Sequence, residues 1–307
     1  MVSGTSTMKS TRRPPPLLAV IQAVSGMLGT ISPSAASALL ARVFTTPRRQ
    51  KLSSEEKKWL TAAAARPIRL KSGAEIPLYE WRAVPRGFGV LDEAPLPTVL
   101  LVHGMSGRAA QLGGFAAPLV AAGFRVVAFD APGHGAAAGR RSSLPEMLWV
   151  TEEVAANLGP LDGIVAHSNG AAATIAALGR GMRVQRVALL APPTDLERYL
   201  GKVARLLGFG DRVARGAQHR LERRYGVPFS ALKGTDLAPG LSQPALIVHD
   251  NGDRIVPASE GRALADSWPG AKLHVTAGLG HGRILRDEAV ISRVVEHLAP
   301  QGKAPAR

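Results

Sequence analysis

Apolar residues gather into short continuous runs that alternate with longer segments of helical spacing. TVLLVHG (98–104), FRVVAFD (124–130), DGIVAHS (162–168), VQRVALLAPP (184–193), ALIVHD (245–250) and KLHVTAG (272–278) read as buried strands. Between and after them, QLGGFAAPLVAAG (111–123), SLPEMLWVTEEVAAN (143–157), NGAAATIAALGRG (169–181) and stretches near 258–267 and 284–298 read as helices. Strands apolar on both faces need cover on both faces. The alternation therefore predicts a mostly parallel sheet flanked by helices on each side. PIRLKSGAEIPLYEWRAV (67–84) predicts two antiparallel strands at its start.

Two stretches depart from this rhythm. Residues 1–66 open with Lys9, Arg12 and Arg13 before PPP, then run through LLAVIQAVSGMLGTI (17–31) and SPSAASALLARVF (32–44). A basic start, an apolar run and a small-residue ASA superficially resemble a secretory leader. The prolines, Gln22, Ser25 and two glycines interrupt the run, which is also short of the ~20 apolar residues a span needs. Amphipathic helices packed on the body are the favoured reading. Contact with a membrane surface and a cleaved leader are the alternatives. LSSEEKKWLTAAAA (52–65) has a serine cap and early acids and predicts a short surface helix. The second departure separates the strands ending near Ala191 and starting at Ala245. It carries LERYLGKVARLLGFGDRVARGAQHRLERRYGV (196–227), helical and basic, which predicts a cap over a site. The chain thus divides into an N-terminal helical extension (1–66), a core (67–193 and 243–300), a cap (194–242) and a frayed tail (301–307).

Composition narrows the chemistry. A chain of 307 residues, 46% hydrophobic, can bury a large α/β core. With no cysteine, it has neither a thiolate nucleophile nor a Cys-based metal site, and nothing calls for an oxidising compartment. A cytoplasmic location is the default expectation. The net charge of +15 suits a polyanionic partner, but the basic residues are scattered and aromatics are few, at 5%. A basic solvated surface is preferred to nucleic-acid binding.

Ligands of open parallel sheets bind beyond the carboxyl ends of the strands. The polar residues there are His103, Asp130, His134, His167, Ser168, Asp250, Asp253 and His281. Ser168 lies in AHSNG, with small Ala166 and Gly170 two residues to either side, as a sharp strand-to-helix turn demands. A helix-capping serine is the competing reading. A serine nucleophile needs a base and an acid to orient it. In HDNGDRIVP (249–257), Asp253 is preferred to Asp250, which suits a brace of the turn; in GLGHGRIL (278–285), His281 lies in a glycine-flanked loop. Donors for an oxyanion are available from the backbone N–H groups of Met105, in VHGMSG (102–107), and Asn169. GHGAAAG (133–139) lacks the Lys-Ser/Thr of a phosphate loop, and the histidines lack metal-ligand spacing, so neither a cofactor nor a metal is expected.

In order and spacing, VHGMSG, FDAPGHG, AHSNGA, HDNGDRIVP and GLGHGRIL resemble the α/β-hydrolase superfamily, in its serine esterase and lipase-like branch, over about residues 67–300. The resemblance implies an eight-stranded sheet, a Ser168–Asp253–His281 triad, a Met105/Asn169 oxyanion hole and a helical cap. It also implies structural roles for His103 and His134. Ala166 replaces the usual first glycine of the elbow, and residues 1–66 have no counterpart in the core fold. A serine hydrolase of carboxylic esters, acting on a small acyl substrate, is the leading expectation. Thioester, lactone and C–C hydrolysis are its relatives. The rival is a non-catalytic or membrane-surface-associated binding protein that retains the fold.

Overall fold

The computed structural model describes residues 15–83 and 96–299, so the expected frayed tail, 301–307, lies outside the described residues. In chain order the first elements are α1 (Pro16–Ile31), α2 (Pro33–Phe44), α3 (Ser54–Thr61), β1 (Ala64–Arg69) and β2 (Glu75–Trp81). Then come β3 (Thr98–Val102), α4 (Ala116–Ala121), β4 (Arg125–Phe129), α5 (Leu144–Leu158), β5 (Gly163–His167), α6 (Asn169–Gly179) and β6 (Arg186–Leu190). The helical insertion carries α7 (Leu196–Leu206), α8 (Asp211–Tyr225) and α9 (Gly234–Leu237). β7 (Ala245–Asp250), α10 (Ala258–Ser267), β8 (Lys272–Thr276), α11 (Gly280–Arg283) and α12 (Glu288–Leu298) complete the chain.

These elements form two compact units. The larger runs from Phe44 to Glu197 and resumes at Tyr225. Its eight strands lie in the order β1-β2-β4-β3-β5-β6-β7-β8. β1 and β2 pair antiparallel, as do β2 and β4, and every other neighbouring pair is parallel. β3, β5 and β7 are buried along their whole length, as strands covered on both faces must be. The sheet grows outward in both directions from β3, with β4 on one side and β5 on the other. The carboxyl ends of β3 and β5 therefore flank the crevice where such sheets bind ligands.

Three local expectations shift. The helix expected over 111–123 is a 3-10 segment, Ala109–Phe115, followed by α4. Gly113 and Gly114 weaken helical propensity there, and the Trp59 ring packs directly against Gly113, leaving no room for a side chain. The helix expected over 52–65 stops at Thr61, because Ala64 and Ala65 pair with Glu80 and Tyr79 in the β1–β2 ladder. The last helix starts at Glu288, capped by the Asp287 side chain, later than the expected 284.

The smaller unit joins the described residues up to Val43 to Arg198–Arg224. Ser37 Oγ of α2 donates to the Val213 carbonyl of α8 at 3.1 Å, and Arg220 donates to Ser34 Oγ at 2.6 Å. Gln22 Nε2 of α1 donates to the Leu206 carbonyl at 3.1 Å. Gly208, before α8, lies so close to α1 that a side chain there would collide with the Gln22 backbone. The N-terminal helices and the insertion helices, far apart in sequence, thus share one packed body.

One buried ion pair fixes the start of the larger unit. Ser53 and Glu56 form a capping box at α3, and Glu56 Oε2 also accepts from Arg108 at 2.8 Å. Arg108 donates in addition to the Gln50 and Lys51 carbonyls. Burial would raise the Glu56 carboxyl, but the Arg108 guanidinium and the Ser53 bonds hold it below the usual range. Removing one partner of a buried pair strands the other charge. Arg108→Ala should therefore cost about 3–5 kcal/mol, read as a lowered urea midpoint; an unchanged midpoint contradicts this role.

Candidate active site

β5 delivers Ser168 into a tight turn before α6. Its backbone sits at φ 51° and ψ −124°, a left-handed conformation that costs a non-glycine residue of order 1–3 kcal/mol. The turn is held from outside. Ser168 N–H donates to the Leu190 carbonyl of β6 at 2.9 Å, and the Ser168 carbonyl accepts from the Ala171 and Ala172 amides. Small neighbours make this geometry possible. A methyl at Gly104 would stand 2.9 Å from Ser168 Cβ, and one at Gly170 would collide with the His103 carbonyl. Ala166 is fully buried and pairs with Val102, so alanine is accommodated where a glycine was the usual residue.

Three side chains meet at this turn. His281 Nε2 lies 2.9 Å from Ser168 Oγ, and His281 Nδ1 lies 2.6 Å from Asp253 Oδ2. With Nδ1–H donating to the carboxylate, Nε2 is left to accept from the serine hydroxyl. Asp253 is buried, and its Oδ1 accepts from the Ile255 and Val256 amides at 2.8 and 3.0 Å. Burial would raise this carboxyl, but the nearby His249 imidazole and the bonds from His281 and the Val256 amide hold it well below the usual carboxylate range. It is therefore an anion at neutral pH.

Asp250 turns elsewhere. Its Oδ2 accepts from Thr276 Oγ1 and Leu279 N–H at 2.8 and 2.9 Å, and its Oδ1 from Gly252 N–H at 2.8 Å. It ties the end of β7 to the segment that carries His281. That segment is not the open loop expected from its glycines: His281 sits within the single helical turn α11.

The Met105 and Asn169 amides lie on the two segments that meet at the serine. Asn169 is the first residue of α6, where an amide has no preceding turn to donate to. Met105 follows Gly104 in a turn closed by Gly107 N–H donating to the Gly104 carbonyl at 2.9 Å.

The remaining strand-end residues hold the frame. His103 Nδ1–H donates to the Gly104 carbonyl at 2.8 Å, and Nε2 accepts from Ala131 N–H at 3.0 Å. Asp130 accepts from the Ala109 and Ala136 amides at 2.7 and 2.8 Å and from the Tyr79 hydroxyl at 3.3 Å. The His134 ring packs 4.8 Å from that of His103. Two contributions were not apparent from sequence. His167 Nε2–H donates to the His281 carbonyl at 2.9 Å, pinning α11 beside the elbow. His249, buried, donates from Nε2 to the Val256 carbonyl and lies 3.6 Å from Asp253 Oδ2. A histidine directly before the proposed turn was visible; its partner 114 residues away was not.

Burial pushes three of these imidazoles down from 6.5, His103 to about 4 and His134 and His167 to about 3. Each is neutral when folded and takes up a proton on unfolding below pH 6.5. The stability that depends on their neutrality is complete above pH 6.5 and is lost as the pH falls through about 4 and then 3. Denaturant titrations across that range should show a steadily falling midpoint, shallower in His167→Gln; a flat wild-type midpoint contradicts it.

Known proteins agree with this architecture. The family described as serine aminopeptidase, S33, matches residues 93–224, a span that includes Ser168 and ends before Asp253 and His281. A pimeloyl-[acyl-carrier protein] methyl ester esterase of Xanthomonas oryzae pv. oryzae is 31% identical over 243 residues, 65% of this chain and 94% of the relative. The Pyrococcus furiosus esterase Pf2001 superposes with a TM-score of 0.60 at 17% identity, covering 82% of this chain and 98% of that one. Rv0554 of Mycobacterium tuberculosis superposes with a TM-score of 0.55 at 19% identity, covering 77% and 98%. The strand order, the turn after β5 and these likenesses together establish that the chain belongs to the α/β-hydrolase superfamily.

Proposed function

We propose that the chain is a serine esterase that cleaves carboxylic esters of small acyl substrates through an acyl-enzyme on Ser168. The observation that carries this reading is the hydrogen-bonded line from Asp253 through His281 to Ser168, with the serine on a strained turn. A serine hydroxyl needs a base within hydrogen-bond reach and a group that fixes the tautomer of that base. His281 is the base and Asp253 the orienting anion. The ester class draws on the Xanthomonas oryzae relative, whose name describes a methyl ester esterase.

Ser168 Oγ attacks the ester carbonyl as its proton passes to His281 Nε2. The Met105 and Asn169 amides donate to the oxyanion, each donor supplying roughly 3 kcal/mol in such sites. Collapse breaks the bond to the alcohol oxygen, which leaves with the proton from Nε2. Water then gives a proton to Nε2 and attacks the acyl carbon. The carboxylic acid departs as Ser168 recovers its proton. Asp253 stays ionised throughout and offsets the imidazolium charge.

A fluorophosphonate probe tests the nucleophile. The wild-type protein should label and Ser168→Ala should not; equal labelling of both contradicts the reading. With p-nitrophenyl esters of graded chain length, Asp253→Asn should lower kcat by about four orders of magnitude, because it favours the wrong imidazole tautomer. Full activity in Asp253→Asn would move the orienting role to another group.

A further inference from the structure

α1 leaves an apolar stripe turned outward. Leu17, Val20, Val24, Met27 and Ile31, spaced alternately three and four residues apart, are 72, 60, 54, 60 and 75% exposed. The side turned inward mixes half-buried Leu18 and Leu28 with small and polar residues: Ser25 is its buried residue, Gly26 and Gly29 face the turn before α8 and α8 itself, and Gln22 bonds to the Leu206 carbonyl. An amphipathic helix of a water-soluble body normally does the opposite. The apolar stripe runs the length of a 16-residue helix that carries no charged residue, about 24 Å. The bond from Gln22 brings Leu206, itself 57% exposed, and the neighbouring Arg205 beside α1.

Charge accompanies this stripe. Residues 1–43 and 198–224 hold twelve of the 38 Lys and Arg but only two of the 23 Asp and Glu. That is ten of the fifteen net positive charges. On the smaller unit Arg205, Arg212, Arg215 and Arg223 are exposed.

We propose that the smaller unit docks on an anionic lipid surface, with α1 lying in the interfacial plane and its stripe of Leu17, Val20, Val24, Met27 and Ile31 buried among the acyl chains. An exposed apolar stripe and exposed arginines on the same unit match the acyl and headgroup layers of such an interface. The helix rests on the membrane and does not span it: no described helix is long and apolar enough to cross. The same three-four spacing would suit a seam between two copies of the chain. Like charge on both copies opposes that pairing, whereas anionic headgroups attract it. The proposal is independent of the ester chemistry.

The test is flotation of the full-length protein with vesicles of phosphatidylcholine alone or mixed with phosphatidylglycerol, at about 0.1 M and about 0.5 M salt. Binding should require phosphatidylglycerol and weaken at high salt. Val24→Glu with Met27→Glu should lower it roughly tenfold or more. The thermal melt followed by circular dichroism should stay unchanged, since both side chains are exposed. Absence of wild-type binding, or equal binding by the double variant, overturns the proposal. So does a wild-type dimer in solution that the double variant dissociates, which would assign the stripe to a second copy.

Discussion

The larger unit is organised around a backbone constraint at the end of β5. Ser168 is held at positive φ, and the two glycines packed nearest it follow from that turn. The loop after β3 must come within van der Waals reach of the serine, so residue 104 is glycine. α6 must start against the His103 carbonyl, so residue 170 is glycine. The anchoring bond to Leu190 requires β6 in register beside β5, with His167 opposite Leu190. The strained turn is stable only because the surrounding sheet determines it.

Electrostatics divides the nearby groups into two kinds. His103, His134 and His167 are buried and neutral, with ring nitrogens that bind carbonyls or amides of the frame. Asp253 is buried and charged, and it tolerates burial because amides and His281 satisfy its oxygens. In the proposed chemistry the one imidazole placed between this anion and a hydroxyl moves the proton. His103, His134 and His167 serve as uncharged struts.

Much of this was legible because it is local. Buried strands announce themselves as apolar runs, and turn residues such as those in AHSNG and HDNGD follow from short-range sterics. The eight-stranded sheet is the one implied by the resemblance that those motifs carry, and Ser168, His281 and Asp253 lie in one hydrogen-bonded line. What stayed hidden depends on partners distant in sequence. Glu56 looked like a capping acid, and only the fold brings Arg108 to it. His281 looked like a loop residue, but Asp250 and His167 anchor its segment as a helical turn. Residues 17–31 showed an apolar run, and no periodicity reveals that the side holding Gln22, Ser25 and Gly29 would be turned inward while Leu17, Val20, Val24, Met27 and Ile31 stay exposed. Helices near residues 30 and 210 share one unit because Ser37, Gly216 and Val213 fit together, a match of shapes rather than of pattern.

The central claim is that Ser168 carries the acyl group. Rapid mixing with a p-nitrophenyl ester, acid quench and peptide mass spectrometry test it directly. The account predicts one acyl group per chain, on the peptide containing Ser168, formed with a burst of p-nitrophenol of equal size. Turnover with no acylated peptide, or acylation at another residue, would contradict it.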